Sequence, residues 1–491
     1  MVVAALEIAY LVERAHMSSP ALPYLYAETT RTLIFFKINY LPIILRVATM
    51  YCMKILFISP DIEEKPRGIN FILKHLLDSA SSNGDEVGIL IGLPATNVFS
   101  ESKILQDKIL HLHLQHYLKE GRGSFRYFIK GGYRKRNLLK SIIAGQIFKP
   151  LHFKIKQEYL SSEQSIAHKL SYVVQSPYVY QFLTRNIPLI PKIQIRRLVK
   201  KFNIDLVVVA SPSIIGKKDV KGAKLVHFIH DSMPFELLET PPDNNTPTRY
   251  AEQFYNAVTE SDLILANSED TKSKVLEIKK NAQVNVLYGA ASNSNDKTKE
   301  TSILETLNLK PQEYHIFIST IEKRKNISTL LDSYALGGDR ITKKLVLVGG
   351  AGYGIEEIYE KYNSLTSYVQ EKIIFTGYVS EGDKYTLLSN SYSFIFPSLY
   401  EGFGLPIIEA QQNGVPVITS KKGALKEAAG DAALFIDEPR DANEILSKIC
   451  TIESDSNLRT NLIDRGTRNA RKFTINKFQE RLERALNNLR Q

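Results

Sequence analysis

A chain of 491 residues, 44% hydrophobic and 23% charged, is too long for one ordinary core and has the profile of a soluble globular protein of two or three domains. Its two cysteines, Cys52 and Cys450, exclude a disulfide framework and a cysteine-rich metal site, and they fit a reducing cytoplasm. A net charge of +11 points to an anionic partner.

Residues 1–52 come first. LIFFKINYLPIILRVATMYC, from Leu33, is apolar but is interrupted by Lys37, Pro42 and Arg46, so it offers no unbroken span of ~18 residues. Glu7 and Glu13 precede it, unlike the basic start of a secretion signal. The segment is expected to be a peripheral anchor or a start placed too far upstream. MKILFISP, from Met53, then opens an α/β domain. Short apolar runs alternate from there with helical patterns, the rhythm of parallel sheets covered by helices on both faces. Strands are expected at KILFISP, EVGILIG, IDLVVVASP, KLVHFIHD, DLILANS and VNVLY.

Within this first domain, residues 121–157 contain no Asp or Glu and interleave cations such as Arg134, Lys135 and Arg136 with Phe and Tyr. That pattern suits an anionic membrane surface or a lipid headgroup. No helix-turn-helix, zinc-finger or RNP-like signature supports nucleic acid. A solvated basic helical insertion is the ordinary alternative, and it stays open. His111, His113 and His116 have no carboxylate or cysteine close by and are read as strand positions running into a helix, not as zinc ligands.

A polar stretch, ASNSNDKTKETS, begins a linker over residues 291–311. The second series of strands, YHIFIST, KLVLVGG, KIIFTG, SFIFPS, PVITS and AALFID, falls within residues 312–472. NKFQERLERALNNLRQ gives a helix within 473–491, expected to pack back on the first domain. The fold class is therefore α/β, with two Rossmann-like, doubly wound parallel-sheet domains, 53–290 and 312–472, facing across a cleft. Ligands of such sheets bind beyond the carboxyl ends of the strands.

The most informative stretch is FPSLYEGFGLPIIEAQQNGVPVITS, residues 396–420. Its flanks read as strands and LPIIEAQQNG as a helix, with Pro406 near its first turn and Gly414 at its stop. Unpaired N–H groups at the helix start, approached closely across Gly402 and Gly404, make an anion site. Glu401 on the loop and Glu409, expected in the first helical turn, add acceptors beside it, which suits a ligand carrying both phosphates and hydroxyls. A glutamate near a helix start also stabilises a helix with no ligand present. After YHIFIST, IEKRKN presents Arg324 and Lys325, which could neutralise a diphosphate leaving group. His230 and Asp231 follow KLVHFI, and Gly68 in KPRGINFILKHLL could open a helix against an anion. Taken singly, surface cations, a satisfied histidine and a helix-start glycine explain these positions better than a functional role does.

Taken together, STIEKRKNISTLLDSY, LVLVGGAGYG, IIFTGYVS, the 396–420 stretch and GDAALFIDE resemble the retaining glycosyltransferases of family 4, which have the GT-B fold. The likeness is looser over residues 53–288, where MKILFISP, the loop at Gly68, HFIHDSMPFE and DLILANSE carry it, and it is hard to follow between about 93 and 200. The resemblance implies that the first domain takes the acceptor and the second the nucleotide sugar. Glu401 would contact the donor sugar's hydroxyls and Glu409 the ribose, with Phe403, Gly404 and Leu405 at the sugar and diphosphate. Arg324 and Lys325 would bind the diphosphate, Gly68 would face the donor, His230 would lie near the transferred sugar, and Tyr378 and Val379 would border the base. The family often has Gly and Arg where Ser319 and Thr320 stand, which shifts phosphate binding toward Arg324.

The implied reaction moves a hexose from a nucleotide diphosphate sugar to a hydroxyl of a glycan or lipid-linked glycan, with retention. IEKRKN with YEGFGLP resembles mannosyl- and rhamnosyl-transferring relatives of bacterial polysaccharide assembly, so mannose from GDP-mannose is the favoured donor. No Asp-x-Asp occurs, and neither a metal nor another cofactor is expected. The expected location is the cytoplasm, peripheral at the inner face of the cell membrane. Two alternatives stand: a nucleotide-sugar epimerase of the same fold, and a catalytically silent donor-binding homologue.

Overall fold

Two sheets, one wholly and one almost wholly parallel, organise the described residues. In the computed structural model the described residues are 53–58, 76, 80, 86–91, 151–154, 172–175, 189–232, 246–291 and 302–490. Residues 1–52, Gly68, the three histidines 111, 113 and 116, and all of 121–157 except 151–154 lie outside them.

The first sheet has eight strands: β1 (Lys54–Ile58), β2 (Glu86–Ile91), β3 (Leu151–Lys154), β4 (Tyr172–Gln175), β5 (Leu206–Val209), β6 (Lys224–Ile229), β7 (Leu263–Ala266) and β8 (Val284–Val286). Their order is β3-β4-β2-β1-β5-β6-β7-β8, all parallel except β3, which runs antiparallel to β4. The second sheet holds β9 (Tyr314–Ile318), β10 (Lys344–Val348), β11 (Ile373–Gly377), β12 (Ser393–Phe396), β13 (Val417–Ser420) and β14 (Ala433–Ile436), in the parallel order β11-β10-β9-β12-β13-β14. Central strands of such sheets are buried on both faces, so they read as continuous apolar runs without alternation. LVVV, LILA, YHIFI and SFIF are buried at every position. Each strand expected from the sequence is present, shorter by a residue or more at its ends. β3 and β4 are additional to these and fall between residues 93 and 200, where the sequence carries no clear strand pattern.

The helices that flank these sheets include α1 (Leu189–Phe202), α2 (Thr246–Glu260), α3 (Glu269–Ile278), α4 (Ile327–Gly337), α5 (Glu381–Ser389), α6 (Leu405–Gln412), α7 (Leu425–Ala429) and α8 (Ile475–Arg490). Ser302–Thr306, inside the stretch expected to be linker, is a short helix. Leu304 and Leu309 explain it, because both are buried in the core of the second sheet with Tyr314, Phe317, Phe394 and Phe396. At the other end, Arg481 of α8 lies 4.8 Å over the Tyr288 ring, and Phe473 accepts a main-chain hydrogen bond from Ala291 at 3.2 Å. Among the described residues no helix is long and apolar enough to cross a membrane.

β9 and β12 are neighbours, with Phe394 opposite Ile316, while β10 and β11 lie to one side and β13 and β14 to the other. This is the point where strand order reverses, so the loops leaving β9 and β12 diverge and open a crevice at the carboxyl edge. The two loops remain tied by a Leu399 N–H that donates to the Arg324 carbonyl at 2.9 Å.

Candidate active site

The loop after β12 turns into α6 at Gly404, whose φ of +111° only glycine adopts without strain. Helix α6 therefore starts at Leu405, with Pro406 in its first turn, and its end is marked by Asn413 and the left-handed Gly414. The start agrees with the sequence, but the expected place of Glu409 is corrected: as the fifth residue of α6 it stands in the second turn, since one turn takes 3.6 residues. Its charge is met by Lys384 of α5, whose Nζ lies 3.4 Å from Oε2 and 2.8 Å from Glu381.

Glu401 is the centre of a tighter cluster. The loop after β9 coils into a single turn over Lys323–Lys325 and is fixed by Asn326, a left-handed residue whose amide donates to the Pro397 and Pro439 carbonyls at 3.2 and 2.5 Å. That turn aims both expected cations at one carboxylate: Lys325 Nζ is 2.6 Å from Glu401 Oε1, and Arg324 Nη1 is 2.8 Å from Oε2. Arg324 also donates to Glu322 at 2.6 Å and to the Tyr400 carbonyl at 2.8 Å, while Lys325 lies 5.1 Å over the Phe396 ring. Burial alone would raise the Glu401 carboxyl; Lys325 and Arg324 outweigh it and hold it below the usual carboxylate range. Arginine and lysine each carry more N–H donors than these bonds use, so a phosphate could share them.

His230 and Asp231, beyond the end of β6, face this loop from the first sheet. With Gly402, Gly404, Asn267 and Glu401 they line a pocket of about 190 Å³. His230 Nε2 lies 2.7 Å from the Ala210 carbonyl, which can only accept, so the ring carries its proton there. Burial lowers its pKa to about 4, against a weaker opposite pull from that bond, so at neutral pH the ring is uncharged with Nδ1 as its acceptor. Gly402 explains how close the two sides come: a Cβ there would sit 2.2 Å from the His230 carbonyl oxygen.

The remaining expected residues are spread around this centre. Phe403 contributes to the pocket wall, yet its ring is 5% exposed and stacks on Tyr288 at 5.4 Å, with Phe473 edge-on at the same separation. Leu405 also lines the pocket and packs near Gly289. Tyr378 and Val379 follow β11 on the same carboxyl edge but are not among the pocket walls; Tyr378 is 60% exposed, and Val379 packs against the core. Gly68 lies outside the described residues. Asn267, Lys384 and Tyr400 join the site without a sequence motif that marks them. Asn267 stood at a strand end in DLILANSE, which was a usable signal; Lys384 and Tyr400 matter through partners on other elements, which no local pattern reveals.

Two family models match the chain, "Glycosyl transferases group 1" over residues 299–469 and "Glycosyltransferase Family 4" over residues 158–290. The chain is 30% identical over 259 residues to O-antigen chain mannosyltransferase B of Escherichia coli, an alignment covering 51% of this chain and 67% of that protein. It is 28% identical over 244 residues to the serotype-specific mannosyltransferase WbdA of Escherichia coli, covering 47% of this chain but only 30% of that longer relative. Among solved structures, sucrose-phosphate synthase from Thermosynechococcus elongatus superposes with a TM-score of 0.60 at 16% identity, covering 89% of this chain and 99% of that one. The two sheets, the crevice between their carboxyl edges and these matches lead to one conclusion: the chain belongs to the group 1 and family 4 glycosyltransferases and has their GT-B fold.

Proposed function

We propose that this chain transfers mannose from GDP-mannose to a hydroxyl of a glycan or lipid-linked glycan in bacterial surface polysaccharide assembly, with retention of configuration and without a metal. The observation that carries the reading is the Glu401 carboxylate, held by Arg324 and Lys325 in the crevice opposite His230. Such a cluster offers preorganised positive charge for a leaving diphosphate and an acceptor for sugar hydroxyls in one place. The choice of mannose draws on the names of the relatives, all of which are proteins other than this one.

In the proposed step the bond between the anomeric carbon and the phosphate oxygen breaks while the acceptor oxygen bonds to the same face of that carbon. The acceptor's proton passes to the departing phosphate oxygen, and nucleoside diphosphate leaves. Arg324 and Lys325 stabilise charge growing on the diphosphate, supported by the start of α6, whereas Thr320 is exposed and brings no charge. Glu401 orients the sugar, and Glu409 with Lys384 holds the ribose. The cations of residues 121–157 support a contact with anionic lipid at the inner face of the membrane.

The test is incubation of the purified chain with GDP-mannose and mannosyl or lipid-linked acceptors in EDTA, followed by product analysis by NMR. An α-linked mannosyl product with stoichiometric GDP is expected. Transfer restored only by magnesium or manganese would remove the metal-independent mechanism, an epimer from donor alone would favour the epimerase, and binding without turnover would favour a silent homologue.

A further inference from the structure

Beside the pocket one hydroxyl is held from both of its free sides. Tyr400, 4% exposed and immediately before Glu401, places Oη 2.7 Å from Asp270 Oδ2 and 2.8 Å from Ser232 Oγ. A carboxylate only accepts, so the single Tyr400 proton is directed at Asp270, and Ser232 in turn donates to Tyr400. Ser232 lies two residues beyond His230, and Asp270 is in the first turn of α3, just after Asn267. Both belong to the part of the chain built on the first sheet, whereas Tyr400 belongs to the loop of the second. Burial, and then the bond to Asp270, raise the Tyr400 pKa, which keeps the hydroxyl protonated as this arrangement requires.

The same residue also reaches the cation cluster. Its carbonyl accepts from Arg324 Nη1 at 2.8 Å, the nitrogen that also lies 2.8 Å from Glu401 Oε2. Another contact runs parallel: Glu427 of α7 accepts the Glu269 N–H with both carboxylate oxygens, at 2.9 and 3.0 Å. The start of α3 is thus gripped by two residues of the second domain, one of which adjoins the proposed donor contact.

We propose that Tyr400 is a positioning residue whose hydroxyl clasps Ser232 and Asp270 to the Glu401 loop, setting His230 and the acceptor side of the cleft against the donor groups. The clasp rests on the glycosyltransferase reading above for its effect on transfer, but its physical existence can be tested without any sugar. It also separates two properties that a simple stabilising contact would not: nucleotide binding, which uses the second domain, and transfer, which needs both.

Tyr400→Phe removes only the hydroxyl and keeps the ring that packs against Gly423, where a Cβ would lie 2.9 Å from Tyr400 Cε2. Hydrogen–deuterium exchange of the unliganded protein should rise at 229–232 and 268–272 by roughly tenfold, while β9 stays protected. Calorimetry should give a GDP Kd within about threefold of the parent, and kcat should fall about tenfold or more, a split characteristic of lost positioning. Ser232→Ala should show the same pattern more weakly, and Asp270→Asn, which retains an oxygen acceptor, should stay close to the parent. Unchanged exchange at both first-domain segments, or an equal loss of GDP affinity and kcat, overturns the clasp. A parent chain that transfers nothing overturns the function while leaving the exchange result to decide the clasp.

Discussion

Lys325 Nζ lies 2.6 Å from one oxygen of Glu401 while Arg324 Nη1 lies 2.8 Å from the other, so one largely buried carboxylate holds two cations from a different loop. Removing the carboxylate leaves Lys325 without its ion-pair partner in a place water reaches poorly, whereas removing Lys325 leaves Glu401 still held by Arg324. Glu401→Ala should therefore lose about 3–5 kcal/mol of stability, and Lys325→Ala less. The double variant should be much less destabilised than the sum, since no orphaned Lys325–Glu401 charge remains. Transfer by Lys325→Ala should drop by the equivalent of roughly 2–4 kcal/mol of transition-state stabilisation. Urea midpoints of the four proteins of this cycle, with initial rates, check both statements. Strict additivity in the midpoints would show that the pair does not act as a unit.

Glu409 and Lys384 provide a second pair, 3.4 Å apart and both partly exposed, so their loss should matter for ligand more than for fold. Glu409→Ala and Lys384→Ala should keep midpoints within about 1 kcal/mol of the parent, because exposed pairs contribute little. Glu409→Ala should nevertheless lose most transfer, with GDP binding weakened about tenfold or more through a lost hydroxyl acceptor. Near-parent turnover by Glu409→Ala would reject its place in the donor site.

The sequence was most legible where one physical cause acts locally. Strands buried on both faces leave apolar runs such as YHIFI, and a glycine at φ +111° before a proline marks the start of α6. The convergence of Arg324, Lys325 and Glu401 was legible in part: the residues were identified as charges at strand ends, but not that they pair with one another. The helix starts at Leu405 as the sequence indicates, and Glu409 falls in the second turn because four helical residues precede it at 3.6 residues per turn. Tyr400 was missed because its significance comes from Ser232 and Asp270, which lie 168 and 130 residues away in sequence. Distance along the chain hides a contact of that kind; only the packed sheets reveal it.

His227 is wholly buried between the hydroxyls of Ser213 and Ser261, each 2.8 Å from a ring nitrogen, and burial pushes its pKa from 6.5 to about 3. The unfolded chain binds that proton near its ordinary value, so between these limits it holds more protons than the folded one. Stability is then fully present above about pH 6.5 and is lost on acidification, by up to about 1.4 kcal/mol per pH unit for this group. His230, lowered to about 4, adds in the same direction over a narrower window. Urea midpoints at pH 5 and 7 should differ accordingly, and His227→Asn should flatten the dependence. An unflattened slope in that variant would mean that His227 is not the group responsible.

Gly402 makes the sharpest separation between folding and closure. Its own backbone is not in the left-handed region, so alanine is tolerated locally, yet the added Cβ would meet the His230 carbonyl oxygen at 2.2 Å and Asp231 Cβ at 2.7 Å. Real Cβ atoms do not approach backbone that closely, and the obstructing atoms belong to the opposite wall of the cleft. The Glu401 loop and the end of β6 must then separate by about 1 Å or more, which is enough to cost on the order of a hundredfold in a reaction that depends on near-contact geometry. Gly402→Ala should therefore bind GDP with nearly the parent Kd and unfold at nearly the parent midpoint, but transfer poorly. Calorimetry, thermal unfolding and initial rates measured on one preparation decide it. Parent-like transfer would mean that the contact between Gly402 and His230 is not part of the reacting arrangement, and a collapse of stability would mean that the contact holds the fold together as well as the cleft.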